Sequence, residues 1–254
     1  MTALLVALAA FGWRIHEPKT EVTALAHDRR VYMKVLLLGY AVWFATFQAV
    51  GRVAMLLPAH DVTTAVDRWV PYVPEMVWPY EMCYLMPFLA LVVVRDFHRF
   101  NRAFLAILLA SAGAYAIYLL FPVAFPRPSV GTSLSERVLA MEHAIDVAAN
   151  NLPSLHVALS VIMGRAMHGQ SGRKLVDVAI WLAVAAITAS TVLIKQHMLI
   201  DSAAGLAWGW GAYLLAGRIY GNPCTNDVAR GACEKFGGGA RRMTRGGERD
   251  WFWA

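Results

Sequence analysis

The chain has 254 residues, of which 58% are apolar and only 16% charged, too few polar side chains to cover a soluble globule of this length. Its net charge of +6 does not point to nucleic acid, because the basic residues fall between apolar runs and in the tail instead of along one stripe. Cys83, Cys224 and Cys233 are too few and too scattered for a disulfide framework, and no paired Cys/His cluster suggests zinc. What remains is an all-α bundle in a bilayer, read as one domain.

In chain order, residues 1–30 form an N-terminal segment expected at the cytoplasmic interface. Its apolar start, residues 1–13, is too short to span unless an upstream start completes a further helix. Residues 31–220 are expected to form a six-helix transmembrane domain, with spans near 32–57, 80–94, 103–122, 155–168, 175–194 and 199–219; the second and fourth are short. Residues 221–254, rich in Gly and Arg, are expected to be a disordered cytoplasmic tail drawn to anionic lipid.

Charge tests this assignment independently of apolarity. With six spans, 18 of the 23 Lys and Arg residues fall on one side. By the positive-inside rule that side is cytoplasmic, so both termini are cytoplasmic and the segments 58–79, 123–154 and 195–198 face outward, most simply at the plasma membrane. The aromatics Trp69, Tyr72, Trp78, Tyr80 and Tyr84 crowd one outward stretch and read as an interfacial belt. Glu142, His143 and Asp146 read as the solvated face of a short outward helix, with contact to a polar headgroup as the second reading, and Glu81 as a helix-start carboxylate or a pocket wall.

The polar residues with chemical potential all fall on this outward side. His197 and Asp201 are spaced i, i+4, so on a helix starting near Lys195 the carboxylate can hold one imidazole nitrogen and leave the other free to attack phosphorus. Taken alone, the pair equally fits an interfacial histidine beside a helix-start carboxylate. Pro153 and Ser154 suit a helix start, whose unpaired N–H groups make a phosphate seat, and His156 in its first turn suits an acid and base. A cap followed by an interfacial histidine fits that segment as well. Arg127 and Lys195 are the cations for non-bridging oxygens, or ordinary interfacial charges.

Together, Arg127-Pro128, Pro153-Ser154-Leu155-His156 and Ser190-Thr191 through His197 to Asp201 resemble, in order and spacing, the motifs of the type-2 phosphatidic acid phosphatase superfamily. The similarity runs over roughly residues 80–220. It implies a lipid phosphatase with a phosphohistidine intermediate at His197, Asp201 in support, and His156 as acid and base. It implies phosphate binding by Arg127 and Ser154, with neither cofactor nor metal. Leu120, Leu155 and Thr191 stand where the pattern has Lys, Gly and Arg, and Lys195 is the candidate substitute for a lost cation. The form PSLH with KQHxxxD is similar to the inositol phosphorylceramide synthase branch, which raises a phosphotransferase using an alcohol acceptor as the alternative. A non-catalytic lipid transporter or binding protein is a third reading. The expected partners are a lipid phosphate and the bilayer, not nucleic acid; the oligomeric state is open.

Overall fold

The computed structural model describes residues 29–94 and 97–220; the expectations for residues 1–13 and 221–254 lie outside the described residues. The described chain is helical: α1 (Arg29–Ala54), α2 (Ala65–Trp69), a 3-10 turn (Pro74–Met76), α3 (Val77–Val93), α4 (Phe97–Leu120), α5 (Leu134–Ile145), α6 (Leu155–Met167), α7 (Lys174–Leu193) and α8 (Leu199–Tyr220). Each of the six apolar segments coincides with one helix, within about six residues at either end.

Four stretches are long and apolar enough to cross a bilayer: Tyr32–Ala54, Pro74–Val93, Arg99–Leu120 and Lys174–Leu193. Their outer faces carry exposed Leu37, Leu38, Leu85, Leu89, Val92 and Leu182, as lipid contact requires. The 13-residue α6 is only about 20 Å long at 1.5 Å per residue. It is short because it needs no lipid-facing surface: from Leu155 to Met167 every residue but Leu159 and Arg165 is buried, against α3, α4 and α7. α8 has 22 residues but dilutes its apolar content with Asp201, Ser202 and four glycines.

Two of those glycines have a packing role. A Cβ on Gly205 would lie 2.6 Å from the Ser154 carbonyl oxygen, and one on Gly209 would meet the Ala158 carbonyl oxygen and lie 2.8 Å from its Cα. The two are four residues apart, so one bare stripe of α8 lies directly on the backbone of α6. The seam is pinned at the end where both helices begin by the Ser154 N–H, which donates to the Asp201 carbonyl at 3.0 Å. Around it, Met86, Ala90, Ala106, Val161, Ile162, Met167, Val184 and Ile187 form the main apolar cluster.

Gly209→Ala is therefore expected to lower the unfolding free energy of the detergent-solubilised protein by about 1–3 kcal/mol, since backbone cannot rotate away as a side chain can. Gly211→Ala, where nothing lies within 4 Å, should leave the thermal midpoint unchanged. Equal midpoints for the two variants would contradict the seam.

Candidate active site

The end of the α6–α8 seam where both helices begin brings the sequence motifs together. Ser154 caps α6 in extended conformation, its hydroxyl oxygen accepting from the Val157 N–H at 3.4 Å, and Tyr118 donates to the preceding Pro153 carbonyl at 2.7 Å. His156 follows in the first turn. Opposite it, the chain leaves α7 through a tight turn in which the Gln196 and His197 N–H groups both bond to the Thr191 carbonyl, at 3.0 and 2.9 Å. Lys195 takes a left-handed φ of 58° there, a conformation costing a non-glycine residue about 1 kcal/mol or more. That turn aims His197 back at α6.

His156 Nδ1 lies 3.3 Å from His197 Nε2, with both rings buried. Asp201, wholly buried, sits one turn into α8. Its Oδ2 accepts from the Met198 N–H at 2.9 Å and is 3.6 Å from His197 Nδ1, an ion-pair distance longer than a hydrogen bond. On its far side His156 Nε2 faces two phenols, Tyr80 at 2.7 Å and Tyr84 at 3.1 Å.

Arg127 is the cation of this site, and it arrives already paired. It donates to the His143 and Asp146 carbonyls, each at 3.0 Å, and to Asp146 Oδ2 at 3.1 Å. Three of its five N–H groups are thus engaged among the described residues. Burial raises the Asp146 carboxyl, opposed first by the charge of Arg127. Gln196 Nε2 donates to the same Oδ2. Burial, aided by Arg127, holds His143 down to about 4, so it is neutral at pH 7 and adds no cation.

Of the six residues singled out in the sequence, His156, His197, Asp201, Ser154 and Arg127 converge here. Lys195 does not join them. Its ammonium donates to the Asp67 carbonyl at 2.6 Å, and Asp67 Oδ1 accepts from the Leu199 N–H at 2.8 Å, so the α2 helix clasps this turn from outside. The ammonium is committed to that clasp instead of replacing a missing cation. Nor do the two departures supply one: Leu120 is exposed, while Thr191 is buried and bonded to the Ser202 hydroxyl at 2.9 Å.

Two other readings are corrected. Trp69 and Trp78 are exposed as belt residues should be, but Tyr80 and Tyr84, one turn apart on the inner face of α3, contact His156 instead. Glu142 and Asp146 are not a solvated face: Glu142 is 8% exposed and the Asp146 side chain 7%. Both pairs have i, i+4 spacing, the one signal in the sequence for a shared face, without a sign of which way that face turns. Beside His156, an apolar cavity of about 340 Å³ runs between α1, α3, α4 and α6, walled by Trp43, Phe47, Pro87, Ile107 and Leu159 and reaching Tyr84 and His156. The described residues contain no group of three or more His, Cys, Asp or Glu arranged to hold a metal.

No curated protein and no solved structure matches the chain. A family model of the PAP2 superfamily does match, over residues 57–215, which takes in every motif described above and well over half of the sequence. With the apolar helices and the His156–His197 pair at one end of their bundle, that match places the chain in the PAP2 superfamily, whose members are phosphoesterases acting on lipids.

Proposed function

We propose that this protein is a membrane lipid phosphatase that passes the phosphoryl group of a lipid phosphate or diphosphate through a phosphohistidine at His197. The observation that carries the proposal is the 3.3 Å approach of two buried imidazoles, one with a carboxylate behind it and one with phenols behind it. With Nδ1 of His197 protonated toward Asp201, Nε2 keeps its lone pair for phosphorus. The resting contact leaves no room for a phosphoryl group, so substrate binding must part the rings until phosphorus lies roughly 3–3.5 Å from Nε2.

As the P–N bond forms, the P–O bond to the lipid breaks and the leaving oxygen takes a proton from His156. In the second step water attacks the phosphohistidine, gives a proton to His156 and releases phosphate. The free part of the Arg127 fork, the Ser154 hydroxyl and the N-terminal amides of α6 are suited to the equatorial oxygens, where charge is greatest in the transition state. The cavity beside His156 suits a hydrocarbon chain, which supports a lipid over a soluble phosphate ester.

In this reading α6 and α8 complete six spans, α6 enclosed by its neighbours and α8 presenting Leu206, Trp210, Leu214 and Ile219 outward beside the four that are apolar enough to face lipid. The 18 basic residues on one side support cytoplasmic termini, a plasma-membrane location and an extracytoplasmic site. Transfer to an alcohol uses the same residues and differs only in the second acceptor; the Leu155 and Gln196 variants of the motifs favour it as the second reading.

Purified protein given phosphatidic acid, undecaprenyl diphosphate or phosphatidylglycerophosphate should release inorganic phosphate from at least one of them. His197→Ala should reduce turnover by about 10⁴-fold or more, and His156→Ala by about 10²–10⁴-fold. Product appearing only with added alcohol would move the assignment to transfer. Full function of His197→Ala in cells, with no phosphohistidine trapped in the wild type, would leave a lipid-binding or transport role in its place.

Asp201→Asn keeps the shape and the acceptor oxygen but removes the charge that steadies a protonated His197. It is expected to lower kcat about tenfold to a hundredfold with little change in KM. Unaltered kcat would show that Asp201 serves only to start α8.

A further inference from the structure

Behind His156, on the side away from His197, lies a group of polar residues that the two-histidine chemistry leaves unused. The Tyr84 hydroxyl donates to Glu142 Oε2 at 3.1 Å and also lies 3.1 Å from His156 Nε2. Glu142 reaches this position from α5, beside Glu81 on α3, which raises its carboxyl further. Two carboxyls this close resist carrying two charges, so one of them keeps a proton. No ion pair reaches either one among the described residues, and Oε1 of Glu81 is buried without a hydrogen-bond partner.

The groups facing Glu142 are uniformly unable to neutralise an anion there. From α3 come Glu81, Tyr80, Cys83 and Tyr84, from α1 Tyr40, and from the C-cap of α5 Asp146. Arg127, the nearby cation, is bonded to Asp146. Burial first, and Glu81 second, push the Glu142 carboxyl up to about 8, so it is mostly protonated at neutral pH. Tyr80 also touches His156 Nε2, at 2.7 Å, but its hydroxyl has no carboxyl partner among the described residues. Tyr84 alone bridges an acid and the imidazole.

We propose that Glu142, Tyr84 and His156 form a proton relay in which the Glu142 carboxyl recharges the acid–base imidazole from behind. The proposal rests on the roles given above to His156 and His197. In the first step the departing lipid oxygen takes the proton from His156 Nδ1. The Tyr84 O–H turns from Glu142 to Nε2 and passes its proton there, and the Tyr84 oxygen takes the proton of Glu142, which is left as a carboxylate. His156 thereby changes tautomer without carrying a charge into an apolar bundle. In the second step the attacking water gives its proton to Nδ1, and the same transfers run backwards to restore the Glu142 carboxyl. Glu142 and Tyr84 touch no substrate; they position and supply a proton through His156.

The test compares phosphohistidine formation from dodecyl phosphate, whose alkoxide needs a proton to leave, with that from 4-nitrophenyl phosphate, whose phenolate does not. Glu142→Gln in the detergent-solubilised full chain should slow the first by about a hundredfold and the second by less than tenfold. Wild-type kcat should fall as pH rises through about 8, where Glu142 loses its proton. That alkaline limb should vanish in Glu142→Gln, which has no proton to lose, and return in Glu142→Asp. Tyr84→Phe should reproduce the leaving-group effect, and the double variant should be no slower than either single one. Equal slowing with both probes, or an alkaline limb that persists in Glu142→Gln, would overturn the relay and leave the histidine chemistry standing. A wild type that forms no phosphohistidine from either probe would overturn both.

Discussion

The site depends on how closely α8 can lie on α6. Gly205 and Gly209 leave no side chain between the two helices, so the Asp201 carbonyl reaches the Ser154 N–H and the start of α8 stands beside the start of α6. Only at that separation do His156 in one first turn and His197 just before the other meet at 3.3 Å. Bulk at either glycine would act on the chemistry without touching a reacting group. The neighbouring helices serve the same seam. α3 brings the phenols that fix the outer nitrogen of His156, and α2 clasps the turn bearing His197 through Asp67.

A site for an anionic group would be expected to gather cations, yet this one is nearly balanced before substrate arrives. Arg127 is matched by Asp146, Lys195 is tied to Asp67, and His143 stays neutral. In the proposed reading the remaining charge is supplied by the N-terminal dipole of α6 and the Ser154 hydroxyl at its start. An anion bound this way is held by dipoles that need no counter-charge in the empty state. A paired Arg127 also avoids leaving an isolated guanidinium in a largely apolar surrounding.

Much of the molecule was legible from local information. Apolar runs marked six helices within about six residues at either end, because hydropathy is summed along the chain and does not depend on what lies opposite. The i, i+4 step from His197 to Asp201 and the Pro-Ser start before His156 are likewise properties of a single segment. What misled the reading was direction. Tyr80 and Tyr84 belong by composition with Trp69 and Trp78, and Glu142 and Asp146 with any solvated amphipathic helix. Lys195, two residues from His197, looked like a phosphate ligand by proximity in sequence, although a left-handed turn sends its side chain to Asp67.

The sequence by itself therefore determined the class of molecule, the helices and the residues of three motifs, since each is written in spacing or in transfer energy along one stretch. The tertiary structure decided which faces turn inward, that Arg127 is already paired, and that a buried carboxyl stands behind His156 through Tyr84. Those outcomes turn on contacts between segments dozens of residues apart, such as Tyr84 with Glu142 and Asp67 with Lys195. The burial that gives a carboxylate or a phenol its chemical character comes from those neighbours and not from its own stretch of chain.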